Sequence, residues 1–263
     1  MRTLIALCLI LSPSFLLADD RSEDRFSLEM GVFVEAFETT VRLDSEMLGR
    51  GTVINFEDDL GLKKDQSNFR LDGTYRIARK HRIEFGYTSW SRKNTRILDT
   101  EIQFGDEIYP VDAEILTSSG TDVYKLAYKY SFVNSDRYEA GISGGFSVFD
   151  FDASLDVIAG GGGASFESEE VVAPVPLLGG FFDWKIGENF VLRTTGEVFD
   201  LSTGGLDGHL SDVKGTLNWY PFRNVGFGAG YNRVGLRYLD DGDAEVEVKY
   251  VYSGVLAYAI FSF

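Results

Sequence analysis

Phe69-Arg70-Leu71-Asp72-Gly73-Thr74-Tyr75-Arg76-Ile77 alternates without a break. Phe69, Leu71, Gly73, Tyr75 and Ile77 share one phase, and Arg70, Asp72, Thr74 and Arg76 share the other. Successive side chains of a β-strand point to opposite sides, so a strand here has one apolar, aromatic face and one charged face. The first suits lipid and the second a polar interior.

The same period recurs along the chain. Tyr124, Leu126, Tyr128, Tyr130 and Phe132 oppose Lys125, Lys129 and Ser131. Tyr138, Ala140, Ile142, Phe146 and Val148 oppose Glu139, Gly141, Ser143, Gly145 and Ser147. Val213, Gly215, Leu217 and Trp219 oppose Asp212, Lys214, Thr216 and Asn218. Ten strands are predicted, at 26-41, 67-79, 81-94, 112-132, 137-157, 172-186, 190-202, 208-221, 225-239 and 244-263. The fold class is all-β: an antiparallel up-and-down transmembrane β-barrel of ten strands, within a range of eight to twelve. Each predicted strand exceeds the roughly 9–11 residues that cross a bilayer. The excess should project outward as a skirt.

Short polar turns fall at Arg79-Lys80, Asn134-Ser135-Asp136, Gly187-Glu188-Asn189 and Phe222-Arg223-Asn224, with longer or more acidic links between the other pairs. Short turns on the periplasmic side and longer loops outside put both termini in the periplasm. Residues 95-120, interrupted by Pro110, are a candidate extra outer hairpin. Gly160 to Gly163 lack the lysine and the strand-to-helix context of a phosphate loop and suit a flexible outer loop. In a soluble β-sandwich or lipocalin-like barrel the aromatic faces would point inward, but the opposite faces are charged. Burying both would cost several kcal/mol for each unpaired charge.

The N-terminus reads as a secretory signal peptide over 1-18, with Arg2, an apolar Leu4 to Leu11 and a small Ala18 before Asp19, leaving 19-263 as the barrel domain. No stretch is apolar enough for a transmembrane helix. The only cysteine, Cys8, lies in that signal and follows Leu7, which does not suit lipidation, so the exported chain has neither disulfide nor thiolate site. Net charge is -16, and removing Arg2 with the signal leaves -17. Such a chain repels nucleic acid. Its 29 Gly, 13 Tyr and 21 Phe match lipid-exposed strands better than a soluble enzyme.

Trp219-Tyr220-Pro221-Phe222-Arg223-Asn224-Val225-Gly226 runs into Gly228-Ala229-Gly230-Tyr231-Asn232-Arg233, and the last strand closes on Ala257-Tyr258-Ala259-Ile260-Phe261-Ser262-Phe263. With Gly51-Thr52-Val53-Ile54-Asn55-Phe56-Glu57-Asp58-Asp59-Leu60-Gly61-Leu62 in the first outer loop, this resembles uncharacterised outer-membrane β-barrel proteins of Gram-negative bacteria, of the small monomeric type. The resemblance touches most of the exported chain. It implies a cell outer-membrane location and contact with outer-membrane lipid and lipopolysaccharide. It also implies recognition by the barrel-assembly machinery, for which Phe261 and Phe263 are the candidate signal.

The inner faces carry eight acids, Glu29, Glu35, Asp72, Glu84, Glu139, Asp183, Glu197 and Asp212. They also carry eight bases, Arg70, Arg76, Arg82, Lys125, Lys129, Lys185, Arg193 and Lys214. A narrow barrel holds such a set only if the charges are paired, and balance argues against a pore selective for one sign. Pairing is expected between neighbouring strands, with Arg70, Asp72 and Arg76 meeting Glu29, Glu35, Arg82 and Glu84. The leading expectation is a structural or interaction barrel with a narrow, charge-paired lumen. A narrow channel for small solutes is the first alternative.

The net negative charge then falls on loops and strand ends. It gathers at Asp58 and Asp59, Asp99 and Glu101, Asp106 and Glu107, Glu167, Glu169 and Glu170, and Asp240, Asp241 and Asp243. A solvated rim is the plain reading, and weak divalent-cation binding at these outer loops is the alternative. No cofactor and no metal site is expected. Only His81 and His209 are histidines. His81 suits a turn. His209, near Asp200, Asp207 and Asp212, is similar in residue type to the aspartate–histidine chemistry of ten-stranded outer-membrane proteases, the omptins, but none of their motifs is present. An outer-rim hydrolase is therefore the second alternative. The last strand lacks the His and Ser of a barrel lipid A deacylase.

Two expectations test the register. Tyr75, Phe85, Tyr128, Phe182, Trp184, Leu217 and Trp219 should face lipid. In the ninth strand Val225, Phe227, Ala229 and Tyr231 keep one phase, but Val234, Leu236 and Tyr238 take the other. Either a β-bulge swaps the faces or the strand leaves the bilayer near Arg233. Arg233 is the ninth residue from Val225, so exit without a bulge is expected.

Overall fold

The computed structural model describes residues 25–159, 165–167, 171–242 and 245–263. The predicted signal peptide, with Cys8, lies outside them, as do Gly160 to Gly163, Glu169, Glu170, Asp243 and the side chain of Glu167. Among the described residues every regular element is a strand: β1 (Phe26–Leu43), β2 (Ile54–Asn55), β3 (Asp65–Ala78), β4 (His81–Ile97), β5 (Ile102–Phe104), β6 (Glu107–Tyr109), β7 (Glu114–Asn134), β8 (Tyr138–Ala159), β9 (Ser165–Glu167), β10 (Val171–Ile186), β11 (Phe190–Thr203), β12 (Leu206–Trp219), β13 (Val225–Asp240) and β14 (Val246–Ser262).

The ten long strands pair antiparallel in chain order, and β14 pairs with β1 from Leu43↔Val246 to Ser27↔Ser262. That last ladder closes the sheet into an up-and-down barrel and removes the open edges. All ten predicted strands are present, with ends within about three residues of those read from alternation. The 95-120 stretch contains a small hairpin, β5–β6, outside the barrel wall. One connection on the loop end is tighter than expected: β11 and β12 are joined by Gly204 and Gly205 alone. Their φ values of 58° and 93° are those a two-residue hairpin demands of both central residues.

The wall presents the expected apolar side outward. Tyr75, Tyr128, Phe182, Trp184, Leu217 and Trp219 are all exposed on it, with Leu217 at 46%. Phe85 is only half-buried, because its ring lies over its cross-strand partner Gly73. β13 pairs with β12 and β14 without a bulge from Phe227 to Asp240. Val234 is therefore buried inside the barrel, in the phase of Asn232, while Tyr231 and Arg233 point outward.

Candidate functional site

The bore is layered, and each layer follows from the inward phase of the strands. At the end with the short turns lies the charged layer. Arg76 holds Glu139 through two bonds, 2.9 and 3.1 Å. Arg82 donates to Asp183 at 2.8 Å and lies 3.7 Å from Glu139. Arg193 bonds Glu29 at 2.9 Å. Lys125 donates to Glu197 and, at 2.6 Å, to Asp212. Lys129 meets Glu84 at 2.7 Å. Arg70 bonds Asp72 at 2.8 Å and reaches Asn232 at 2.7 Å, and Lys214 lies 3.9 Å from Asp72. Lys185 is half-buried in the same phase as Asp183.

Neighbouring strands do not supply most of these partners, which corrects the expected pairing. The register sets like charges side by side: Glu29 opposite Asp72, Arg76 opposite Arg82, Arg82 opposite Lys129, Glu139 opposite Asp183, and Glu197 opposite Asp212. Like charges directly opposite repel. Each strip is neutralised from across the bore instead. Lys125 on β7 reaches Asp212 on β12, four strands away round a ring of ten. Two pairs are local: Lys129 and Glu84 sit on paired strands, and Arg70 and Asp72 on the same strand.

Glu35 stands apart from this layer. It is fully buried and takes one bond from Asn68 at 3.0 Å, and its second carboxylate oxygen has no partner. Around and above it the interior is apolar, a departure from the uniformly polar bore expected. Phe33, Phe37, Trp90, Val123, Phe149, Leu177, Leu210, Val234, Tyr250, Tyr252 and Leu256 form one buried cluster. Trp90 lies 5.0 Å from the Tyr252 ring and 5.5 Å from the Phe37 ring. The Arg92 guanidinium lies over the Phe37 ring, 4.5 Å from its centroid. Glycine makes room lower down: a Cβ on Gly228 would sit 2.3 Å from the Tyr258 ring. Among the described residues, one void of about 20 Å³ is lined by Tyr252, Arg70 and Asn232, and another of about 40 Å³ lies among the charges.

A third layer is built by the loops. Phe56, Leu60 and Leu62 from the link between β1 and β3 pack on Leu98, Ile102, Phe104, Tyr109 and Ala113, and on Val41, Ile115 and Leu155 of the wall. β2 adds to β1 at Val41↔Ile54, where β3 has not yet begun to pair. Glu57 anchors this cap. It accepts from the Thr39 amide at 2.8 Å and from the Arg92 guanidinium, and Arg92 also donates to Thr39 Oγ1 at 3.0 Å.

The sequence reading missed the aromatic layer. Phe37 shares the phase of Glu29 and Glu35, and Trp90 that of Glu84, so following each strand beyond its last inward charge would have found it. His209 and Asp200 are cross-strand partners joined at 3.1 Å, but both point to the outer wall, away from the bore and from any cleft. His81 Nδ1 and the Tyr128 hydroxyl share a hydrogen bond on the wall by the first turn. Phe261 and Phe263 are exposed, Phe263 at 50%, at the turn end. Among the described residues no cluster of carboxylates and histidines is disposed to hold a metal.

No family model matches the sequence, and no curated protein matches it. Among solved structures, the outer-membrane protease OmpT of Escherichia coli superposes with a TM-score of 0.58 at 10% identity, over 94% of this chain and 99% of that one. The translocator domain of autotransporter NalP from Neisseria meningitidis gives 0.46 at 14% identity, over 89% and 88%. The outer-membrane protein OprG from Pseudomonas aeruginosa gives 0.40 at 10% identity, over 92% and 99%. At these identities the OmpT likeness shows the fold alone: that of a Gram-negative outer-membrane β-barrel.

Proposed function

We propose that the chain is a closed, non-catalytic barrel of the cell outer membrane, with a structural or interaction role exercised through its loop cap. The observation that carries this is the aromatic layer. Below it the charges are joined mostly across the bore, and above it the cap buries a second apolar cluster, so among the described residues two apolar layers stand between the ends. A conducting barrel keeps an aqueous lumen. The exposed apolar wall supports the membrane location, since a water-soluble chain would bury it.

In this reading the short turns and both described ends of the barrel face the periplasm, and the cap faces outside. Phe261 and Phe263 then present an exposed aromatic pair to the assembly machinery. The acidic loops form a solvated rim that takes divalent cations weakly at most. His209 serves no hydrolysis in this reading, because it stands on the outer wall, bonded to Asp200 and facing away from the bore.

Reconstitution into planar lipid bilayers tests the proposal. The closed barrel gives no steady openings at any moderate voltage. Steady, reproducible single-channel steps from the unmodified protein would establish the narrow channel in its place. A hydrolase screen in which activity disappears in His209→Ala would overturn the non-catalytic part separately.

A further inference from the structure

Arg233, Arg237 and Lys249 take no part in the bore, the cap or the rim. They lie on the outer wall of β13 and β14, and all three are exposed, Arg237 by 64% and Lys249 by 50%. Arg237 has His209 of β12 as its direct partner on one side and Lys249 on the other. Strand spacing makes this a row about 10 Å across, with Arg233 roughly 13 Å lower on the same face.

Arg237 and Lys249 are cations set directly opposite one another, and such a pair destabilises a sheet unless something neutralises it. The local acids do so incompletely. Glu38 bonds Lys249 at 2.6 Å, and Asp200 bonds His209 at 3.1 Å. Glu247 lies 3.9 Å from Arg237 and is shared with Arg42 at 3.5 Å. Arg233 has no carboxylate within ion-pair distance among the described residues. This is a chain of net charge -16, and the corresponding wall of β7 and β8 carries Asp122, Asp150 and Asp152 instead. A cationic stripe kept on such a protein asks for an anion.

We propose that this stripe binds the phosphate of an anionic lipid headgroup in the outer leaflet. Height selects the lipid. Tyr231 is half-exposed directly below Arg233 in the same phase, with Phe227 and Ala229 beneath it. An aromatic residue over an apolar run marks the boundary of the hydrocarbon. The two guanidinium groups then stand where headgroup phosphates lie, and guanidinium matches phosphate oxygens with paired bonds. The inference rests on the outer-membrane reading, but its test does not depend on conductance.

Native mass spectrometry of the full barrel in detergent micelles tests it, with three probes: bisphosphorylated lipid A, the same lipid fully dephosphorylated, and inorganic phosphate. The barrel should retain lipid A and hold the dephosphorylated form roughly tenfold more weakly, the effect of losing charge-assisted bonds. Arg233→Gln/Arg237→Gln/Lys249→Gln should weaken lipid A by roughly tenfold or more. Lys93→Gln, at an exposed cation on β4, should change nothing. Folding of each variant is read by the heat-dependent shift on gels. If the triple variant does not fold, Arg237→Gln alone replaces it, with a loss of about threefold, and Arg237→Lys should recover part of that loss. Equal retention of lipid A by the folded variant, or of lipid A stripped of phosphate, overturns the proposal. Competition by millimolar inorganic phosphate against lipid A overturns it too, in favour of a free-phosphate site.

Discussion

Trp90 donates its indole hydrogen to the Tyr250 hydroxyl at 2.6 Å, and the two rings lie within 15° of parallel. They come from β4 and β14, which are separated in the wall by β1 and β3. The bond therefore crosses part of the bore and ties the aromatic layer to both sides. Trp90→Ala should cost about 3–5 kcal/mol, as other large-to-small core changes do, measured by urea unfolding in micelles. A loss below about 1 kcal/mol would mean that the layer can collapse into the gap.

The charged layer predicts an asymmetry. Lys125 is the shared cation of Glu197, 1% exposed, and Asp212, 12% exposed. Lys125→Met leaves two buried carboxylates facing each other and should cost about 3–5 kcal/mol. Adding Glu197→Gln and Asp212→Asn should recover much of it, since a neutral polar set carries no uncompensated charge. If the triple variant is less stable than Lys125→Met, the bore holds these charges through water and not through one another.

How far the sequence is legible depends on which side of the wall decides a residue. Strand number and the lipid-facing set follow from alternation, because lipid rejects charge at every position and leaves a clean period of two. Arg70, Asp72 and the other inward charges could be placed in the bore for the same reason. Their partners could not, because Arg76 and Glu139 are brought together by ring closure and bore diameter, which no local pattern encodes. The aromatic layer was hidden differently. Phe33, Phe37 and Trp90 are inward residues of the type that marks the outer face elsewhere, so composition misassigned the interior while phase did not. The cap was least legible: Phe56 and Tyr109 are buried only because two separate links meet above the barrel.

Leu217 tests the outer face. It is 46% exposed and pairs across the sheet with Ala229, too small to shield it. Leu217→Arg should lower stability in bilayers by about 2–4 kcal/mol if it lies near mid-membrane. Asn218→Asp, one residue along but pointing into the bore beside Tyr258, should respond to lumen chemistry and not to bilayer thickness. If changing bilayer thickness shifts both variants alike, the assignment of faces on β12 fails.

The cap should open when its latch is removed. Glu57 and Arg92 are both nearly fully buried, and among the described residues each is the other's only partner at salt-bridge distance. Glu57→Ala strands the Arg92 charge at a cost of about 3–5 kcal/mol, which falls on the loop and not on the barrel. Trypsin should then cut at Arg50, Lys63 or Lys64 at least several times faster, while the barrel keeps its heat-dependent gel shift. Glu57→Gln, which retains an acceptor for the Thr39 amide, should fall between the two. Unchanged cleavage in Glu57→Ala would show that the apolar contacts of Phe56 and Leu60 hold the cap alone.

The course of β13 through the membrane gives the last prediction. Its ladders with β12 and β14 run without a bulge past Arg233, so no face swap occurs there. Val234 and Leu236 fill the interior against Leu210 and Tyr250, and their apolar character says nothing about lipid. The outward residues alone report depth: Phe227, Ala229 and Tyr231, then Arg233, Gly235 and Arg237. From Val225 to Arg233 is close to the roughly 9–11 residues that span a bilayer. Single cysteines at positions 229, 233 and 237, in a chain whose only natural cysteine is Cys8 of the predicted signal, allow a depth series with a fluorescent label and brominated lipids. The label at 229 should be quenched most by deep bromines, that at 233 by shallow ones, and that at 237 by neither. A label at 237 as deep as that at 229 would place both arginines in hydrocarbon. It would overturn the exit at Arg233 and, with it, the height argument for the cationic stripe.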